Sequence, residues 1–196
     1  MSKLEEFNFI VIGDCSSSMG EPVSKANPTS RWDAMQESLR GLVRDVSKLD
    51  SDGIEFVELG GQGRHYAGVT ADNVVQMLAT LSPRGSTPLH VALATALMLA
   101  KKSNKRAMIV VYTDGVPDDE KAVEKLIRDQ ANSQAADDEC TILFVQVGDD
   151  ARATKYLRDL DDNLKGAKFD IVDAKTIEEA DKFPSTAALI EAAIED

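Results

Sequence analysis

A chain of 196 residues with 43% hydrophobic and 29% charged side chains has an ordinary globular composition and suits one domain with a full core. Its net charge of −12 argues against a binder of nucleic-acid phosphates, which needs a basic surface. No membrane span is expected either, because the most apolar segment, Val91 to Ala100, is far too short to cross a bilayer.

In chain order, the stretch Met1 to Asn8 carries Glu5 and Glu6 and no apolar segment ahead of a cleavage site, so no signal peptide is expected. Phe7 to Gly13 is a near-continuous apolar run, the pattern of a strand buried on both faces. A polar loop with Gly20, Pro22 and Pro28 runs from Met19 to Ser30. Ser30 and Asp33 then form a capping-box-like start. Trp32, Met35, Leu39, Leu42, Val43, Val46 and Leu49 recur at helical spacing toward Asp52-Gly53. Ile54 to Leu59 predicts a second strand, Gly60 to Gly63 a turn, and Arg64 to Ala67 a short return strand. Val69 to Leu81 predicts a short helix. Pro88 to Lys102 is helical and apolar almost all round, so it should be largely buried. Ala107 to Thr113 predicts a buried strand, Asp118 to Ala136 a helix, and Thr141 to Val147 another strand. Gly148-Asp149-Asp150 opens a helix to about Leu160. Phe169 to Val172 predicts a last strand and Pro184 to Ile194 a closing helix.

Strands that alternate with helices specify an α/β fold, with a mostly parallel central sheet and helices on both faces. No repeat, low-complexity tract or linker interrupts the pattern, so one domain over residues 1–196 is expected, with its core in about 7–194. The only cysteines, Cys15 and Cys140, fall in or beside predicted strands. That favours buried free thiols over a disulfide framework, and a reducing cytoplasm.

In a parallel sheet, ligands settle outside the carboxyl ends of the strands. That rule puts Asp14, Ser16, Ser18 and Asp114 on one edge, and Thr87, at a helix start, reaches the same edge from a loop. Each has a plain alternative. The Asp14 to Ser18 segment reads equally as a polar turn, Thr87 as the N-cap before Pro88, and Asp114 as a turn aspartate. Their arrival from three separate segments at one edge favours a shared site. Oxygen-only donors select a hard cation. Two carboxylates with three hydroxyls suit magnesium or manganese better than calcium, which takes more ligands. Asp118, Asp119 and Glu120 read as charges at a helix N-terminus rather than as ligands.

Asp14-Cys15-Ser16-Ser17-Ser18-Met19, Thr87-Pro88-Leu89 and Thr113-Asp114-Gly115 together resemble the metal-ion-dependent adhesion site of von Willebrand factor type A domains. The first matches that family's Asp-x-Ser-x-Ser, the second its lone threonine, the third its second aspartate, and their order also matches. The resemblance extends over about Phe7 to Ile194. It implies a doubly wound, Rossmann-like sheet with one short antiparallel edge strand, which Arg64 to Ala67 would supply. It also implies that Ser16, Ser18 and Thr87 hold the metal directly, and that Asp14 and Asp114 bind it directly or through water. A partner's Asp or Glu would complete the shell. Cys15 and Ser17 fill the motif's variable positions, where a small residue or glycine is more usual. The loop from Met19 to Ser30 is long for the pattern and is expected to border the metal and help select the partner.

Two other functional classes fit the sequence less well. An aspartyl phosphatase would need a carboxylate two residues after Asp14 as its acid/base, and that position is Ser16. A Cys15 nucleophile with His90 as base is disfavoured by neighbouring Asp14, which raises a thiol pKa. A nucleotide module is disfavoured because Gly61-Gln62-Gly63 lacks the third glycine and the following helix, and no P-loop motif occurs. The expectation is therefore a non-enzymatic, Mg2+-dependent or Mn2+-dependent protein-interaction module of a cytoplasmic assembly. It would bind an acidic residue of a protein partner, and neither nucleic acid nor membrane. A metal-dependent hydrolase using the same Asp/Ser/Thr site is the alternative.

Overall fold

The computed structural model describes residues 3–49 and 51–195; Met1 and Ser2 of the N-terminal stretch, and Asp50 beyond the first helix, lie outside the described residues. A short 3-10 turn leads into strand β1 (Phe7–Asp14). Helix α1 (Arg31–Val46), strands β2 (Ile54–Leu59) and β3 (His65–Val69), and helices α2 (Val74–Leu78) and α3 (Leu89–Lys102) follow. Strand β4 (Arg106–Thr113), helix α4 (Glu120–Ser133), strand β5 (Cys140–Gln146) and helix α5 (Ala151–Asp162) come next. Strand β6 (Val172–Thr176) and helices α6 (Ile177–Ala180) and α7 (Thr186–Glu195) complete the described chain.

The strands form one sheet in the order β3-β2-β1-β4-β5-β6, parallel throughout except for β3, which runs antiparallel along β2 at one edge. The α/β class, the mostly parallel sheet and the antiparallel edge strand all agree with the sequence reading. Strand periodicity divides the core into two layers. Phe7, Phe9 and Val11 of β1, with Met108, Val110 and Tyr112 of β4, face α1, α2 and α7. Ile10 and Ile12, with Ile109 and Val111, face α3, α4 and α5. Because both faces of each central strand are covered, these strands read as unbroken apolar runs.

Local chemistry explains most helix starts. The Ser30 hydroxyl accepts from the Asp33 N–H at 3.0 Å, and the Asp150 carboxylate from the Arg152 N–H at 2.8 Å. Three expectations need correction. The helix expected over Val69 to Leu81 is confined to α2, because Val69 extends β3 by pairing with Ile54. Asn73 then ties a turn, accepting from Thr70 N at 2.9 Å and donating to Gly68 O at 3.0 Å. The last strand lies at Val172–Thr176 rather than Phe169 to Val172. It hides in the sequence because its Asp173 side chain is buried and ion-paired with Lys175 two residues on. Helix α3 is not buried all round: Val91 and Met98 remain 55% and 50% exposed, since α3 covers the sheet along one side only.

Candidate functional site

β1 lies between β2 and β4, so successive connections leave it in opposite directions. The crevice at this reversal, outside the carboxyl ends of the strands, is where open α/β sheets take ligands. Asp14 is the last residue of β1 and Asp114 the first after β4. Gly13 pairs with Tyr112, which sets the two aspartates at the same sheet edge. Both are buried.

Asp14 accepts at both oxygens, from the Ser16 N–H on Oδ1 at 2.7 Å and from the Thr113 hydroxyl on Oδ2 at 2.7 Å. Burial pushes its carboxyl up to about 6; the hydrogen bonds from Ser16 oppose the rise and the charge of Asp114 adds to it. Ser18 Oγ donates to Asp114 Oδ1 at 3.0 Å, and Ser16 Oγ lies 3.1 Å from Ser18 Oγ. Four of the five expected residues thus form one connected chain of polar atoms.

Thr87 arrives differently. It is not the cap of α3, whose first flanking residue is Pro88. Its main chain is clamped by Asp118: the Thr87 N–H donates to Asp118 Oδ1 at 3.2 Å, and the Asp118 N–H donates to Thr87 O at 3.0 Å. The cap of α4 is Asp119, which accepts from Ala122 N at 3.0 Å. Asp118 is therefore a loop clamp and not merely a helix-terminal charge. The Thr87 loop is also tied to the first loop, since Ser17 N donates to Gly85 O at 3.1 Å and Arg84 N to Cys15 O at 2.6 Å. Gly60 completes the packing: a Cβ there would come within 2.8 Å of Ser86 O, at a φ of +80°.

Sequence reasoning missed two partners. Thr113 sits next to Asp114 in the motif, and its place at a strand end could have suggested a role. Arg31 gave no signal, since a residue at the start of a helix reads as a surface charge. Its Nη1 donates to Asp114 Oδ2 at 2.7 Å, with Glu21 more distant at 3.6 Å. The Met19 to Ser30 loop does border the site. It folds back on itself through the Pro22–Ser30 bridge and Val23 N to Thr29 O at 2.9 Å, which brings Glu21 and Arg31 to the edge of Asp114.

The Cys15 and His90 pairing fails on geometry. Cys15 belongs to the core layer under α1, whereas His90 lies on α3 across the sheet. The Cys15 Sγ–H points at Gly13 O at 3.5 Å, and burial pushes the thiol far up, helped by the charges of Glu58 and Asp14.

The donor set fits a small hard cation. Two neighbouring ligands in a regular octahedron of about 2.1 Å bonds sit about 3.0 Å apart, close to the Ser16–Ser18 separation. The proton of Ser18 goes to Asp114, which leaves its lone pairs for a metal. Among the described residues no cluster of three or more His, Cys, Asp or Glu side chains is placed to hold a metal.

Neither the known protein families nor the curated proteins yield a match to the sequence. Solved structures do. The fold is similar to that of a variant of the PilB minor pilin from Streptococcus sanguinis, with a TM-score of 0.63 at 12% identity over 97% of this chain and 60% of that one. It is similar to the vWF domain of the type V pili tip protein Mfa5 from Porphyromonas gingivalis, with a TM-score of 0.52 at 14% identity over 96% and 94% of the two chains. It is also similar to the ArnB paralog VWA2 from Sulfolobus acidocaldarius, with a TM-score of 0.54 at 18% identity over 100% of this chain and 45% of that one. The chain thus spans less than two thirds of the PilB chain, less than half of the ArnB-paralog chain, and 30% of the pilus adhesin SpaC from Lactobacillus rhamnosus GG. At these identities the likeness concerns the fold, which is von Willebrand factor type A-like.

Proposed function

We propose that this chain is a divalent-metal-dependent protein-interaction module that binds an acidic side chain of a partner at the Asp14, Ser16, Ser18, Thr87 and Asp114 site. The observation that carries the reading is the pairing of Ser16 Oγ and Ser18 Oγ at 3.1 Å beside two buried aspartates, at the switch point of the sheet. Ser16, Ser18 and Thr87 would hold the ion through neutral oxygens. Asp14 and Asp114, already engaged by Ser16, Thr113, Ser18 and Arg31, would balance its charge from just outside. A bound Mg2+ or Mn2+ supplies an under-neutralised position for an anionic oxygen. The Met19 to Ser30 loop would line the approach and select the partner.

The role is non-catalytic in this reading. Position 16, where an aspartyl phosphatase would carry its second carboxylate, is a serine, and the Cys15 thiol is buried in the core. One domain and a cytoplasmic setting complete the proposal. Two free buried thiols support a reducing compartment, and among the described residues no helix is long and apolar enough to cross a membrane. Three of the structures similar in fold are of pilus proteins, so cell fractionation is the check on compartment.

The test is a Mg2+ titration of the metal-free chain by calorimetry and melting temperature, with Asp14→Ala and Thr87→Ala alongside. Saturable stabilisation that both variants lose is the expected result. A folded wild type that binds neither Mg2+ nor Mn2+ overturns the reading. A pull-down with wild type and Asp14→Ala then identifies partners held through the metal.

A further inference from the structure

Among the described residues, Arg31 is the cationic side chain that ion-pairs with the buried polar chain of the site. Its guanidinium is 13% exposed and donates through Nη1 to Asp114 Oδ2 at 2.7 Å, while the Asp114 side chain is 1% exposed. Ser18 holds the other Asp114 oxygen at 3.0 Å. Arg31 Nε is buried without a hydrogen-bond partner. Room for the group comes from Gly148, where a Cβ would fall 2.7 Å from Arg31 Nε and where φ is +112°. A buried charge with an unused donor is costly unless its ion pair repays the desolvation, and here the pair is short and well shielded.

The electrostatic consequence follows from counting charges. Two aspartates would neutralise a divalent ion completely. With Arg31 paired to buried Asp114 at 2.7 Å, and with Glu21 farther off at 3.6 Å and 66% exposed so that water screens its charge, the same loaded site keeps a net positive charge. We propose that Arg31 tunes the site toward anionic partners: by neutralising Asp114 it weakens the hold on the cation and strengthens the attraction of the loaded site for a carboxylate. This rests on the metal-site reading above. Arg31 acts here as a positioning and charge-setting residue, acting through Asp114 and needing no contact with the partner.

The proposal predicts effects of opposite sign, which a merely structural role cannot produce. The full chain is compared with Arg31→Gln, which keeps a donor and removes the charge, and with Arg31→Lys, which keeps the charge. Mg2+ alone is titrated by calorimetry. A blocked tripeptide with one central Glu is then titrated into Mg2+-saturated protein. Arg31→Gln should bind Mg2+ more tightly and the peptide more weakly, each by on the order of tenfold. Arg31→Lys should return both toward wild type. If wild type and Arg31→Lys bind Mg2+ but Arg31→Gln loses both affinities together, or changes neither, this inference falls and the metal reading stands. If wild type binds no Mg2+, the metal reading falls and takes this inference with it.

Discussion

At the residue scale the decisive feature is a carboxylate taken out of water. Asp14 holds its proton up to about 6, chiefly through burial, against 3.8 for the free side chain. Between these values the metal-free folded chain keeps a proton that the unfolded chain has released. The stability this proton contributes is fully present below the lower value and is lost as pH rises through about 6. The loss is on the order of 3 kcal/mol. We predict that metal-free wild type melts at falling temperature as pH rises from about 4 to 6 and that Asp14→Asn flattens this limb, measured by calorimetry across that range. A metal ion would compete with the same proton. Its affinity should then fall about tenfold per pH unit below about 6, read from Mg2+ titrations at stepped pH. Of the residues around Asp14, the sequence named Ser16, Ser18 and Asp114 by motif. It was silent about Arg31, because no spacing rule links a helix-start arginine to an aspartate 83 positions away.

At the element scale, three loops hold the site's shape through main-chain hydrogen bonds from one loop to the next. Asp118 clamps the main chain of Thr87 in both directions, at 3.2 and 3.0 Å. Asp118→Ala should therefore lower Mg2+ affinity by about tenfold or more while leaving the melting temperature of the metal-free chain nearly unchanged, as seen when a supporting group behind a ligand is removed. An unchanged affinity would mean that the remaining main-chain bonds, from Asp118 N to Thr87 O and from Ser17 N to Gly85 O, suffice to hold Thr87. The β2–β3 turn is fixed from below by Glu58, a buried carboxylate that accepts from Arg64 N at 3.1 Å and Arg64 Nε at 3.0 Å. Burial raises its pKa, but these bonds outweigh that and keep the carboxyl below the usual range. A Cβ on Gly61 would lie 2.0 Å from Glu58 Oε1, at a φ of +54°. Gly61→Ala should destabilise the fold by about 2–3 kcal/mol in urea unfolding. The loss should shrink when Glu58→Ala is added, because the two side chains then no longer collide.

At the scale of the whole molecule, a sheet covered on both faces hides its chemistry except at one edge. Cys15 and Cys140 sit in opposite core layers, and burial pushes the Cys140 thiol up to about 12. Neither should react with a thiol reagent in the native state. Both should be modified at the rate of unfolding, measured by mass spectrometry over a denaturant series. Fast labelling of Cys15 in native protein would mean that the loop after β1 opens on its own, against the tight tie of Arg84 N to Cys15 O at 2.6 Å. Val91 and Met98 leave an apolar strip on α3, though nothing in the structure indicates what covers it.

The amino-acid sequence by itself determined the sheet class, the central strands and the motif residues. Strands buried on both faces leave near-continuous apolar runs, as in β1, β4 and β5, and strand-end polar residues fall where the runs stop. Helix caps such as Ser30 and Asp150 were legible for the same reason, since each acts on neighbours two or three residues away. Only the tertiary structure decided the rest. The Asp173–Lys175 pair made a strand of a polar stretch, and α3 turned Val91 and Met98 outward. Asp118 rather than a cap came to hold Thr87, and Arg31 was drawn onto Asp114. These outcomes depend on which side of an element meets another element. Burial and charge pairing between residues far apart in the chain are properties of that meeting, and local patterns carry no record of them.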